Sequence, residues 1–384
     1  MRAFTPVAAV GVLLVGISML CAGGRGADMP PAVKAGQYTL TGPFVQENLS
    51  IYLVHAPDVL KDIHYLTLQE ALDKKIVVVH ETGDVNELSI ENLSTEGDVF
   101  IQSGDIVKGG RQDRTIAFDF ICPPKSGVMA INAFCVEHGR WSRRGVEDAA
   151  AFGSSANAIA GKDLKLAAKA AMDQGQVWQQ VAANQSKLSS NAMAPVIDPA
   201  SASSFELTLE NKKVREASEA YAKSLRSIVE GKNDVVGYVM AINGELNSSD
   251  VYGSHELFAK LWPKMLDAAA VEAFAELKKD KKFEPVKIDA IKSAIEEADA
   301  AKDSTRDVTP RVQLITRQAK ADVLFETRDR ASHSPWIHRN YITGELHRPA
   351  DVAPAQRNNP PAQNDAPTDL PVQSQQRQQI PRQR

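Results

Sequence analysis

The stretch Thr115–Glu137, TIAFDFICPPKSGVMAINAFCVE, decides the fold. In its first half Ile116, Phe118, Phe120 and Cys122 fall on one face at the period of a strand. Pro123-Pro124-Lys125-Ser126-Gly127 is a turn signal. The second half is apolar on both faces except at Asn132, as in a strand covered on both sides. The segment therefore predicts an antiparallel hairpin centred on Lys125. That register sets Cys122 opposite about Val128 and Cys135 near Thr115. The two cysteines are then off register for a cross-strand disulfide, and buried free thiols are expected.

Further β-rich runs lie on the N-terminal side: YTLTGPFVQENLSIYLVHA, KIVVVHE and VFIQSG. LTLQEALDKK reads as a short helix, with Thr67 and Glu70 at the spacing of a capping box. Beyond Glu137 the period changes. Asp163–Gln185 carries Leu164, Ala167, Ala168, Ala171, Gly175, Trp178 and Val181 on one helical stripe. Val214–Gly231 is amphipathic and stops at a glycine, and Val286–Ala301 is a last amphipathic helix. Ser254 caps a long helix that contains Pro263. Between these, Asn243-Gly244 is a strong hairpin signal, and VQLITRQAKADVLFETRD predicts two closing strands. Strands at close spacing, then mostly helices, give an α+β fold. An antiparallel sheet or sandwich is expected from the N-terminal half, with C-terminal helices packed on it.

The chain has 384 residues and a net charge of −4, too mild to point to nucleic acid or acidic membranes. At the N-terminus Arg2 precedes an apolar run, Val7–Leu20, followed by small residues. The run is short for a membrane span and fits a cleaved secretory signal. Cleavage falls near Gly24 or Ala27; a lipoprotein signal at Cys21 places Leu20 where a small residue is wanted, and an uncleaved anchor is the other alternative. The expected organisation is a signal over residues 1–24 and a flexible leader over 25–36. One α+β domain follows over 37–348, with a polar linker at about 186–205, and then a Pro/Gln-rich disordered tail over 349–384. The mature protein is expected outside the cytoplasm, secreted or periplasmic, with no membrane attachment and an unidentified partner for the tail.

Two constellations carry candidate chemistry. GDIVKGGRQDRTI, Gly104–Ile116, gathers Lys108, Arg111 and Arg114 around Gly109-Gly110. Arg111 stands where a P-loop needs Lys-Ser or Lys-Thr, and a strand rather than a helix follows, so it is not a P-loop. The glycines free the backbone, and the two arginines suit a carboxylate or phosphate, with Gln112 placed to read hydroxyls. The bland alternative is a turn whose cations pair with Asp105, Asp113 and Asp119. The second constellation is CVEHGRWSRRG, Cys135–Gly145, in which Glu137 and Arg140 can pair, His138 can titrate and Trp141 can cap the core. Its bland alternative is a strand end with a structural salt bridge. In the expected hairpin the two clusters meet at one sheet edge, next to Gln112 and Asp113. The nucleophile elbow, the His-Glu-x-x-His motif and zinc spacings are absent, so no metal or cofactor is expected. His333, His338 and His347 are expected in a C-terminal loop that Trp336 and His338 dock.

In order along the chain, GDIVKGGRQDRTI, CVEHGRW, GQVWQQV and DVYGSHELFAKLWPKML resemble the ARG and rhodanese-phosphatase-superfamily-associated protein domain family, first type, over roughly residues 40–345. Met265 in WPKM departs mildly from its pattern. The family is functionally uncharacterised, and its name implies association with ADP-ribose or phosphoester metabolism. The resemblance puts the polar motif positions at Lys108, Gly109, Gly110, Gln112, Arg114, Glu137, Gly139, Arg140 and Trp141. Three functions follow as expectations. One is a binding module for a small anionic or sugar-phosphate ligand held by Lys108, Arg111, Arg114 and Arg140. Another is a hydrolase or transferase with Glu137 or His138 as acid or base. The third is an exported interaction protein in which these residues only staple the sheet.

Overall fold

The computed structural model describes residues 38–145, 147 and 150–344, apart from the side chains of 154–158. The expected signal, leader and tail lie outside the described residues. Its strands are β1 (Thr39–Gln46), β2 (Leu49–His55), β3 (Tyr65–Thr67), β4 (Val77–Glu81), β5 (Glu87–Asn92), β6 (Asp98–Ile101), β7 (Asp105–Gly109), β8 (Arg114–Ile116), β9 (Phe120–Cys122), β10 (Met129–Cys135) and β11 (Phe152–Ile159), continuing with β12 (Val235–Ile242), β13 (Glu245–Tyr252), β14 (Asp303–Asp307), β15 (Val312–Gln318), β16 (Asp322–Asp329) and β17 (His338–Thr343). Its helices are α1 (Leu68–Asp73), α2 (Lys162–Lys165), α3 (Gln174–Ala192), α4 (Phe205–Glu210), α5 (Lys212–Leu225), α6 (His255–Ala275) and α7 (Ile288–Ala300).

The fold is α+β and mostly antiparallel. An eight-stranded sheet runs β1-β2-β12-β13-β17-β16-β15-β14. A six-stranded sheet runs β11-β7-β8-β10-β5-β4, and a small one runs β3-β6-β9. The expected division into strand-forming and helical halves is corrected. Six strands of the large sheet come from the C-terminal half, because the Asn243-Gly244 turn and the closing strands feed back onto β2. Helices α5 and α6 cover one face through Leu225, Leu257, Phe258, Leu261 and Leu266, which pack with Leu49, Ile51 and Leu53. Helix α7 covers the other face with Ile291 and Ile295 against Val239, Leu324 and Tyr341.

Local signals appear where expected. Thr67 and Glu70 form a capping box at α1, and Ser254 accepts the Leu257 N–H at 3.3 Å to start α6. Asn243 and Gly244 take positive φ in the β12–β13 turn. Longer-range expectations shift. Thr115–Cys122 is not one strand: β8 pairs with β10, whereas β9 leaves for the small sheet and pairs with β6. Cys135 therefore lies opposite Arg114, one residue from the expected register, and the Lys125 turn does not join paired strands. Both cysteines are buried and free. The helix expected over Asp163–Gln185 is two helices joined by a π-helical segment, Leu166–Ala171. Met172 ends that segment with left-handed φ, and Asp173 caps α3 by accepting from Gln176 N–H at 2.8 Å. Helix α3 runs on to Ala192, so the expected linker begins seven residues too early. His338 lies in β17 rather than in a loop, while Trp336 is buried beside it.

Gly237 in the central strand β12 shows how tight the large sheet is. A Cβ there would sit 2.4 Å from the Asp250 carbonyl oxygen on β13. Gly237→Ala is expected to destabilise the protein by about 1–3 kcal/mol, read as a lower urea midpoint.

Candidate functional site

The β7–β8 hairpin turn brings the two sequence motifs together. Val107 pairs with Arg114, so Gly109-Gly110-Arg111-Gln112-Asp113 closes the turn. Gly110 has φ +54, and a Cβ there would lie 2.2 Å from the Phe152 ring, so only glycine fits. The strand end after β10 delivers Glu137 to this turn: the Asp113 N–H donates to Glu137 Oε2 at 3.1 Å. Arg140 then reaches back, donating to the Gly110 and Gly109 carbonyls at 3.2 and 3.3 Å and pairing with Glu137 at 2.7 Å. The expected convergence at one sheet edge is present.

Of the turn's three cations only Arg114 faces inward, while both it and Lys108 are paired. Arg114 is buried, 3.6 Å from Glu81, and donates to the Gln112 carbonyl at 2.9 Å. Lys108 pairs with Glu210 at 2.5 Å. Arg111 is exposed and enters the network through its backbone N–H, which donates to Glu81 at 3.0 Å. Asp105 pairs with Lys264 at 2.6 Å, Asp119 binds His338 and Asp113 takes Arg140 and Arg144, so none of the three carboxylates expected beside these cations pairs with them; Glu81 and Glu210 do instead. His138 is exposed, with its ring edge-on to Trp178 at 4.4 Å; its backbone N–H donates to Ser203 Oγ. Trp141 is half-buried.

The residue that closes the network was missed in the sequence. Arg144 forks onto Asp113 at 3.1 and 3.2 Å and reaches Glu137 at 3.3 Å and Glu147 at 2.9 Å. The doubled arginine of RWSRRG is the signal that pointed to it. Asp113 also accepts from the Gly109 N–H and from Ser204 Oγ, so both its oxygens are engaged. Burial and the neighbouring Glu137 push the Asp113 carboxyl up, against Arg144. Burial pushes Glu137 up too, but hydrogen bonds led by Arg140 win and hold it below the usual range. Removing Arg144 would leave these two carboxylates short of charge in the interior. Arg144→Ala is expected to cost about 3–5 kcal/mol in urea unfolding, more than any single surface pair.

A second buried network was also not foreseen. His338 is 1% exposed and stands between Asp119 (Nδ1 to Oδ2, 2.8 Å) and Asp250 (Nε2 to Oδ1, 3.0 Å). Carboxylates only accept, so both ring nitrogens donate and the ring is an imidazolium. Its ring stacks on Tyr252 at 4.6 Å. Lys165 lies 4.0 Å from Asp250, and Lys169, in the π-helical segment, lies over the Phe325 ring with no hydrogen-bond acceptor. A cavity of about 20 Å3 beside Lys162, Lys165, Tyr238 and Glu272 has room for one water molecule. Burial alone lowers the His338 pKa, but Asp119 and Asp250 reverse this and raise it. A raised folded pKa gives stability that is full below the unfolded value of about 6.5 and is lost as pH rises through the folded value. Stability is therefore expected to fall from about pH 6.5 upward, and His338→Gln is expected to flatten that slope in pH-dependent urea melts.

A profile of the ARG and Rhodanese-Phosphatase-superfamily-associated Protein domain matches residues 37–342. No curated protein and no solved structure matches the chain. The match spans both motif clusters, the π-helical segment and all but the last residue of the large sheet, so the chain belongs to the ARG and Rhodanese-Phosphatase-superfamily-associated Protein domain family.

Proposed function

We infer that the motif cluster is the frame of an exported interaction module rather than a reactive centre. One observation carries this: Asp113 and Glu137 spend both their oxygens on Arg140, Arg144, Ser204 and backbone N–H groups. A general acid needs a proton near neutral pH, and Glu137 is held below the ordinary carboxylate range. A general base needs a free lone pair, and the arginines occupy those of Glu137. His138 stands outside this network, its ring against Trp178. The apolar N-terminal segment supports delivery out of the cytoplasm. The Pro- and Gln-rich tail supports contact with a partner.

Binding of a small anionic or sugar-phosphate ligand at the same turn is the second reading. It is favoured by Gln112 Nε2 and Arg114 Nε, two buried donors without a hydrogen-bond partner, beside the exposed Arg111. Buried unpaired donors cost about 1–3 kcal/mol each, which an acceptor-rich anion would offset. A thermal-shift series on the full chain with inorganic phosphate, ADP-ribose and an acidic sugar separates the readings. The frame reading expects no stabilisation by any of them, with Arg114→Ala lowering Tm without ligand. Stabilisation by about 2.7 kcal/mol at a hundredfold excess over Kd, absent in Arg111→Ala, establishes the anion site instead.

A further inference from the structure

On β1, the outermost strand of the eight-stranded sheet among the described residues, away from both networks, three side chains line up as hydroxyl, imidazole and carboxylate. Thr41 Oγ1 lies 2.8 Å from His55 Nε2, and His55 Nδ1 lies 3.1 Å from Asp234 Oδ2. We propose that Thr41, His55 and Asp234 form a nucleophilic relay that transfers acyl groups from small esters through Thr41.

Strand pairing builds the alignment. Thr39 lies opposite His55 and Thr41 opposite Leu53, so Thr41 and His55 are diagonal neighbours on one face of β1 and β2. Asp234 directly precedes β12, whose first residue pairs with His55, and its carbonyl accepts the Ala56 N–H. Polarity follows from chemistry. Asp234 only accepts, so it fixes the proton on Nδ1 and leaves Nε2 to accept from the Thr41 hydroxyl. That is the order a nucleophile needs: hydroxyl, base, and a third group that orients the base. The His55 side chain is 14% exposed and Thr41 is half-buried on an edge strand, so the ring is held while the hydroxyl stays reachable. Directly after Thr41, Gly42 has φ +127 and the register slips before Phe44, an irregularity of the kind that re-aims a side chain.

The step balances. Thr41 Oγ1 bonds to the ester carbonyl carbon as its proton passes to His55 Nε2. The carbon–oxygen bond to the leaving alcohol breaks, and Nε2 returns the proton to that alcohol. Water, losing a proton to Nε2, then attacks the Thr41 ester; its hydroxyl stays on the acid, and the proton returns to Thr41. His55 is the base, and Asp234 is a positioning residue.

The test is acylation of the full chain by p-nitrophenyl acetate, with the modified residue located by peptide mass spectrometry. The proposal expects a burst of nitrophenolate and acetyl on Thr41. Thr41→Ala and His55→Gln each slow the burst by at least about 100-fold, and Thr41→Ser keeps it. Asp234→Asn slows it with an unchanged melting temperature, and Asp234→Glu restores part of it. Absence of acetyl on Thr41 in the unmodified chain overturns the proposal, as does labelling that His55→Gln leaves unchanged. The first outcome needs no variant to fold.

Discussion

The contact of Asp119 with His338 fixes how the sheets fit together. Asp119 lies between β8 and β9, where the chain passes from the six-stranded to the three-stranded sheet, and His338 opens β17 in the eight-stranded one. The carboxylate takes His338 Nδ1 at 2.8 Å, the Thr327 hydroxyl at 2.5 Å and the Ser103 N–H at 2.7 Å. With those bonds made, Thr115–Cys122 cannot remain one straight strand. It breaks at Ala117–Asp119 and sends Phe118 into the core beside Phe134 and Leu314. Isolated, a buried carboxylate would cost several kcal/mol; with three donors and a cation it becomes a register pin between layers.

The Lys108–Arg144 network obeys the same rule at the opposite end of β8. Replacing a buried ion cluster by apolar side chains is often neutral or stabilising, so such a cluster is weak evidence of added stability. What it supplies is geometry. Arg144 reaches Asp113 in the β7–β8 turn, Glu137 after β10 and Ser204 ahead of α4 at once. One planar guanidinium thereby holds three chain segments, which a flexible lysine ammonium would hold less rigidly.

Legibility in the sequence follows the range of the interaction. The capping box at Thr67, the Asn243-Gly244 turn and the Ser254 cap were readable because partners three residues apart settle them. The meeting of Gly109–Asp113 with Glu137–Arg140 was also readable, since one strand pairing carries it. The break at Asp119 was not: its partner His338 lies 219 residues away, and alternation alone favours an unbroken strand. The split after Met172 left a signal that went unused, because Asp173 followed by Gln176 is an N-cap inside a helical stripe. Arg144 was overlooked in favour of Arg140, because spacing along the chain shows an i,i+3 pair with Glu137 but not a fork onto Asp113.

The two buried networks and the edge relay differ in a way that bears on function. Both oxygens of Asp113 and of Glu137 are occupied, and His338 is donated away at both nitrogens. Such closed sets hold segments in place, and have no lone pair or proton to lend a substrate. Lys169 and the Thr41–His55–Asp234 row are not closed. Lys169 has no acceptor, but it is 3% exposed and sealed under Phe325, so its openness is paid for by the fold and unused by solvent. The Thr41 hydroxyl combines an aligned base with a route to solvent. Reactivity needs both properties, and polar density alone, the feature that makes the motif cluster conspicuous in the sequence, supplies neither.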